Sequence, residues 1–420
     1  MVQLARKGRL HPAVGAARVS VARALNDVLG QGTVLASGRK GSASSPQKIE
    51  DTGNTEQKPL VLVGLSGGSD SLALASVAAH FVRRGEIQVG AVVVDHQLQE
   101  GSAEVAQKAA DQARELGLSP VLVETVTVDA SSGGPEMAAR IARYGAFERA
   151  VSATDARAVL LAHTLDDQAE TVLLGLARGS GTRSLAGIPR IRTEDGVTYL
   201  RPLLDHTRAE IQDICAAEDL EPWNDPTNTD ESLMRARVRH RIMPYLEENL
   251  GGAVATSLAR TAAIIGPDSE FLEASARKAL AQVCLEKTTL TSANGRNITS
   301  VEELLQIPEN ARETHEIAVI LDRQALAELH PAMRRRVLAL AVTEAGGETP
   351  GFERLSALDD FALTCAKGGP VQMAGHVVAY KTRPPVQSAG STGREKGKGF
   401  SATGILVLMS RTEPTTHGAS

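Results

Sequence analysis

The chain has 420 residues, a formal net charge of −5, 42% hydrophobic and 23% charged residues, the profile of a soluble globular protein of two to three domains with room for a sizeable core. The acidic balance argues against a general nucleic-acid binder. No apolar run is long enough for a transmembrane helix, and Cys215, Cys284 and Cys365 are too sparse for a disulfide framework or a structural zinc site. Together these point to a reducing, cytoplasmic compartment.

The charged but interrupted N-terminus reads as a short amphipathic helix, over 11–29, rather than a signal peptide. Residues 31–58 are rich in Gly, Ser, Lys and Glu and read as a flexible insert. The pattern then changes to short apolar runs alternating with amphipathic stretches. Strands are predicted at 59–65, 87–94, 120–128 and 157–162, and helices at 71–84, 103–116, 136–152 and 165–178. Continuous apolar strands alternating with helices predict an α/β fold with a parallel sheet. Ligands in such sheets bind at the carboxyl ends of the strands. A capping box, Thr207 to Glu210, opens a helix running to about 219. Residues 232–345 read as largely helical, and 370–382 with 403–411 as a terminal hairpin.

The segment Ser66-Gly67-Gly68-Ser69-Asp70-Ser71 sits between a strand and a helix. Its glycines let the backbone approach an anion, and the helix start offers free N–H groups, so it is a phosphate cradle. It lacks the Gly-Lys-Ser/Thr ending of a Walker A loop. With no lysine there, transfer of a γ-phosphate is disfavoured. Asp70, an anion beside polyphosphate, suits a magnesium site or the orientation of another substrate. His163, Asp166 and Asp167 mark a second strand-to-helix junction. There a histidine and a carboxylate could bind magnesium or grip an ammonium group. Two basic clusters follow, 235–241 and 334–336, which suit a polyanionic partner bound at a defined place. Aromatic residues are only 3% of the chain, which disfavours a base-stacking platform.

The first segment resembles the signature of the PP-loop ATP pyrophosphatases, and the ordered set of motifs resembles the tRNA(Ile)-lysidine synthetase family over about 59–340. The set comprises Asp95-His96-Gln97-Leu98, Arg140-Ile141-Ala142-Arg143-Tyr144, Leu176-Ala177-Arg178-Gly179-Ser180-Gly181, Arg201-Pro202-Leu203-Leu204, Trp223 to Asn228, Arg235-Ala236-Arg237-Val238-Arg239-His240 and Pro331 to Arg336. Departures are Thr164 for a second histidine, Gln99 for a frequent arginine and Ala236 for a usual asparagine.

The resemblance implies ATP as cosubstrate, Mg2+, free L-lysine and an isoleucine tRNA with a CAU anticodon. The wobble cytidine would be adenylated and then substituted by lysine. It implies Asp70, His163 and Asp167 as catalytic residues, Asp70 holding magnesium or contacting the lysine amine. Ser66, Gly67, Gly68, Ser69, Asp70, Ser71, Asp95, His96, Arg178 and Gly179 would bind ATP. Arg140, Arg143, Tyr144, Arg201, Arg235, Arg237, Arg239, His240, Arg334 and Arg335 would contact tRNA. The expected organisation is an N-terminal helix (1–30), the insert (31–58), a PP-loop catalytic domain (59–215) and a basic linker (216–250). A smaller, mainly helical tRNA-contacting domain (251–385) and a tail bearing the last strand (386–420) complete it. A PP-loop thiolase and a non-catalytic nucleotide or RNA binder are the competing readings.

Overall fold

The structure, a computed structural model, describes residues 10–35, 58–97, 99, 101–128, 135–179, 181–225, 230–285, 315–364, 370–381 and 404–411. Most of the insert expected at 31–58, Cys365 and the loop before the last strand lie outside the described residues.

Strands β1 (Leu60–Leu65), β2 (Gln88–Asp95), β3 (Val121–Thr125) and β4 (Val159–Leu160) form the predicted parallel set. β1, β2 and β4 are buried on both faces, with Val61, Leu62 and Val63 of β1 fully inaccessible, while the edge strand β3 is partly exposed. β4 is shorter than predicted, yet backbone bonds from Arg157 N–H to Leu60 O and from Leu161 N–H to Leu200 O extend its pairing. Two further strands went unpredicted: β5 (Ile191–Glu194) and β6 (Val197–Leu200) form an antiparallel pair, and β6 lies parallel to β4. Asp195 and Gly196 join them at φ 48° and 80°, the tight turn for which an Asp-Gly pair is the sequence signal. The complete order is β3-β2-β1-β4-β6-β5.

Helix α1 (Pro12–Leu29) turns Val14, Ala17, Val21 and Leu25 into the core it shares with α2 (Ser69–Arg83), α3 (Ser102–Glu115) and α7 (Arg208–Ala217). On the other face of the sheet, Tyr144 and Phe147 of α4 (Pro135–Thr154) pack with Leu62, Val92 and Tyr199. Helix α5 (Leu165–Ala177) and the short α6 (Thr182–Leu185) lie between β4 and β5 in sequence.

The chain divides into compact units Met1–Gly266 and Pro267–Ser420, so the segment expected as a linker belongs to the first. There α8 (Met234–Arg237) runs through a π-turn at Val238–Ile242 into α9 (Met243–Leu250). Pro244 lacks the N–H an α-helix would use at this point, and Met243 N–H bonds back to Val238 O instead. Val238 and Met243, with Val254 and Leu258 of α10 (Val254–Val283), pack on Ala169 of α5. This packing moves the boundary from the expected 251 to Gly266/Pro267.

The second unit holds more sheet than the predicted hairpin. β7 (His315–Asp322), which lies in the 232–345 stretch whose periodicity predicts helix, pairs antiparallel with β10 (Ile405–Arg411), in the order β7-β10-β9-β8. β9 (Val377–Lys381) and β8 (Val371–Gln372) complete it. β7 finds its partner far along the chain, which local periodicity cannot register. Helices α11 (Arg323–Glu328), α12 (Pro331–Glu344) and α13 (Phe352–Leu363) accompany this sheet.

Cations are built into that unit. Arg323 Nε donates to Ala362 O (2.7 Å), and Lys381 Nζ donates to Phe361 O (2.7 Å) and Thr364 O (2.9 Å). Both satisfy carbonyls at the end of α13, where positive charge is favoured. Arg334, 7% exposed, donates to Asp359 Oδ1 (2.5 Å), Asp359 Oδ2 (3.4 Å) and Leu329 O (3.0 Å). Asp359→Ala leaves that guanidinium buried without its counter-charge and is expected to cost about 3–5 kcal/mol in urea unfolding. Arg335→Ala, removing a half-exposed partner of the same carboxylate, should cost below about 1 kcal/mol. Equal losses would contradict this assignment.

Candidate active site

The order of the first sheet reverses at β1: β2 and β3 lie on one side of it, β4 and β6 on the other. Because these strands are parallel, Ser66 after β1, Asp95 at the end of β2, His163 after β4 and Arg201 after β6 all lie along one edge. The reversal is where such folds open a crevice.

On one side of it, the loop from Ser66 to Gly68 is held by its own serines. Ser66 N–H donates to Ser71 Oγ (3.1 Å), and Ser71 Oγ donates to Gly68 O (3.1 Å). Gly67 has φ +79° and would bring a Cβ within 3.3 Å of Ala109, so glycine is required there. Trp223 N–H donates to Gly67 O (2.9 Å). Gly68 starts α2 with no side-chain cap, which leaves the first-turn amides to an incoming anion. Asp70 lies in that turn; burial, then the neighbouring Asp167, push its carboxyl above the usual range, and Arg208 and Arg239 offset this only in part.

Facing it, Thr164 and Asp167 cap α5 reciprocally. Asp167 Oδ2 accepts from Thr164 N–H (2.9 Å) and Oγ1–H (3.1 Å), while Thr164 Oγ1 accepts from Asp167 N–H. The departure to threonine at 164 therefore builds the helix start. Asp167 Oδ1 faces Arg239 Nη2 at 3.2 Å and Arg208 Nη2 at 3.7 Å. Burial opposes ionisation of Asp167, but the Thr164 N–H bond, His163 and the arginines outweigh it and hold the carboxylate below its usual range. His163 is the reverse case: burial, then Arg201, Arg143 and Arg235, lower it to about 3, so the ring stays neutral near pH 7. Its Nδ1 is buried with no hydrogen-bond partner among the described residues.

Two contributors escape a reading by motif. Glu170, 2% exposed, accepts from Arg239 Nε (2.8 Å) and Nη2 (3.2 Å) and lies 3.8 Å from Arg235 Nε and 3.6 Å from Arg208 Nη2. Arg208, at the start of α7, donates its N–H to Asp166 Oδ2 (2.7 Å). Their signal was thin: an acid one helical turn after Asp167, and an arginine inside a capping box.

Other expected residues divide into groups. Asp95 is 6% exposed and accepts from Gln97 N–H (3.0 Å), where the backbone turns at φ +54°. His96 is half-buried, its pKa lowered by burial and then by Arg143, and its Nδ1 has no partner among the described residues. Arg140 Nη2 and Arg201 Nη2 each donate to Tyr144 Oη at 3.3 Å, and Arg140 and Arg143 lie over the Tyr144 ring. Arg178 and Gly179 end α5, roughly 16 Å along its axis from Asp167. Arg235 and Arg239 are engaged by Glu170, while Arg237 donates to Glu231 O (3.1 Å) and Ser232 O (3.2 Å), and His240 is exposed. Arg334, expected to contact tRNA, is instead buried with its guanidinium bound to Asp359, and Arg335 shares that carboxylate. Among the described residues no group of three or more His, Cys, Asp or Glu forms a metal cage.

A glycine–serine loop and an acidic helix start across the switch point of a parallel sheet define a nucleotide-binding α/β enzyme of the PP-loop class. Residues 42–246 match the family model described as PP-loop domain, and residues 321–383 match that described as TilS substrate binding domain. The tRNA(Ile)-lysidine synthase of Leifsonia xyli is 44% identical over 316 residues, 75% of this chain and 86% of the relative. That of Streptomyces coelicolor is 40% identical over 375 residues, 88% and 96% of the two chains. That of Thermobifida fusca is 50% identical over 234 residues, 56% and 71%. The chain belongs to the tRNA(Ile)-lysidine synthase family.

A carboxyl whose folded pKa is raised binds more protons folded than unfolded, so stability falls as pH rises from the ordinary carboxylate range through the folded value. Asp70→Asn removes that cost. The variant is expected to melt higher than the parent at pH 7 and to lose that part of the pH dependence, while turnover falls about 10²–10³-fold. A lower Tm at pH 7 would show Asp70 to be a net stabilising charge.

Proposed function

We propose that this chain joins free L-lysine to C2 of the wobble cytidine of an isoleucine tRNA with a CAU anticodon, at the expense of ATP. The reading is carried by one observation: the phosphate loop and the His163–Asp167 junction share the switch-point crevice in a chain of this family. In the first step the C2 carbonyl oxygen attacks the α-phosphate of ATP and diphosphate leaves. The loop amides of Gly67 through Ser71 face that diphosphate and stabilise the charge it gains. In the second step the lysine ε-amine attacks C2, and the C2–O bond breaks to release AMP.

Residue roles follow from charge and protonation. Magnesium fits an oxygen-only set made by the Asp70 carboxylate and substrate phosphates, since Asp70 lies close enough to Asp167 for the two charges to oppose each other. When bound, the ion would offset negative charge on the phosphates. The carboxylates of Asp167 and Glu170 alternate with the guanidiniums of Arg208 and Arg239, a pattern suited to the ammonium and carboxylate groups of a free amino acid. The ε-amine, with a free pKa of about 10.4, is nucleophilic only after losing a proton. His163 is neutral and has an unpartnered ring nitrogen, so it is assigned, with Asp167, to accept a hydrogen bond from that amine and orient it for attack. The second unit is assigned to holding the tRNA body through phosphate and shape, and the enzyme to the cytoplasm. Among the described residues, no helix is long and apolar enough to cross a membrane.

The test mixes the protein with labelled lysine, ATP, magnesium and either the isoleucine tRNA transcript or a methionine tRNA. Lysine appearing on the isoleucine tRNA alone, with AMP and diphosphate in equal amounts, is the expected result. ATP cleavage to AMP on some other RNA, without lysine transfer, would keep the fold class and overturn the reaction.

A further inference from the structure

The arginines around the crevice fall into two electrostatic groups. Those on the α8–α9 side are neutralised: Arg235 and Arg239 face Glu170, and Arg239 also faces Asp167. Those on the α4 side form no ion pair among the described residues. Arg140 and Arg201 converge on one neutral oxygen, Tyr144 Oη, each at 3.3 Å. The largest influences on Arg143 after burial are Tyr144 and three other arginines, Arg140, Arg235 and Arg201. Arg201 is 2% exposed; its Nη1 donates to Pro189 O (3.0 Å), while its Nε is buried with no partner among the described residues. Packing positive charge this densely is unfavourable unless an anion completes the set.

Tyr144 is the post that holds the group together. Its ring is fixed between Tyr199, 4.9 Å away, and Phe147, 5.9 Å away, with Arg140 stacked 4.8 Å from its centre. The hydroxyl accepts both guanidinium bonds and so retains its own proton as a donor. We propose that Arg140, Tyr144 and Arg201 form a second phosphate site, separate from the glycine–serine loop, that takes one phosphodiester of the RNA beside the cytidine being modified.

The placement argues for a phosphodiester over the ATP triphosphate. The glycine–serine loop leads into α2, whereas α4 covers the opposite face of the sheet. Arg201 follows β6, two strands from β1, which is roughly 10 Å across the sheet. A triphosphate seated on the loop amides leaves this group unfilled. A nucleotide whose base carbonyl reaches the α-phosphate carries its own backbone phosphate away from that point, towards this rim. The inference rests on the proposed reaction, since it needs RNA as the substrate.

The test places the change in the RNA and leaves the holoenzyme intact. Isoleucine tRNAs carrying a single uncharged methylphosphonate at each anticodon-loop phosphate in turn are compared for binding and lysine transfer. The wild-type enzyme is set beside Arg140→Gln and Tyr144→Phe. One phosphate next to the wobble cytidine is expected to matter: its neutralisation weakens wild-type binding about tenfold and adds nothing to the loss in Arg140→Gln. The KM for ATP stays unchanged, and the salt dependence of RNA binding in Arg140→Gln falls by about one charge. If the variants do not fold, the wild-type scan alone decides, because the absence of any sensitive phosphate beside the cytidine overturns the site. A raised KM for ATP in Arg140→Gln with RNA binding intact also overturns it. Lysine transfer to the unmodified tRNA by the wild-type enzyme separates either failure from failure of the proposed reaction.

Discussion

The first sheet grows outward from β1 in two directions, and this reversal is the constraint on which the site depends. Helix α2, which follows β1, lies on one face of the sheet and α4, which leads into β4, on the other, so neither closes over the carboxyl edge between those strands. The Ser66–Ser71 loop and the His163–Asp167 junction are brought together because they terminate adjacent parallel strands. Each is rigid for its own reason. The first is cross-bonded by Ser71, and the second by the Thr164–Asp167 capping pair.

Charge is then sorted within a few residues. Asp70 is pushed towards protonation and Asp167 away from it, although both are carboxylates in one crevice. The difference is local: Asp167 receives a backbone N–H and faces arginines directly, whereas Asp70 meets chiefly burial and a like charge. Burial and the nearby arginines keep His163 neutral, so a hydrogen-bond acceptor survives among cations. Glu170 makes that density of arginine tolerable on the α8–α9 side; on the α4 side a phenol takes the same place without supplying charge. One side is thereby complete in the protein alone, and the other calls for an anion.

Much of this was readable from the sequence where the signal is local. The glycine–serine loop, the buried strands and the capping box at Thr207 each carry their pattern within a few residues. What escaped is what the fold brings together from a distance. β7 pairs with β10 across three helices and two strands of intervening chain, and its short apolar run does not separate strand from buried helix. The Asp195-Gly196 turn carries its hairpin signal in two residues, but the strands it joins are only four residues each. The roles of Glu170 and Arg208 appear only when the start of α7 and the π-turn at Val238–Ile242 are brought against α5. The same holds for Arg334, where three arginines in a row suggested a basic surface, yet the helical turn carries the first of them inward to Asp359.

The central claim is that the crevice activates a base carbonyl by attaching AMP to its oxygen. Preparing the tRNA with oxygen-18 at C2 of the wobble cytidine and recording the mass of the AMP released tests this most directly. If the carbonyl oxygen attacks the α-phosphate and lysine then displaces it, the heavy oxygen leaves in AMP, and one turnover transfers one label. Unlabelled AMP formed alongside lysine transfer would mean that the oxygen was never adenylated, and would contradict the account.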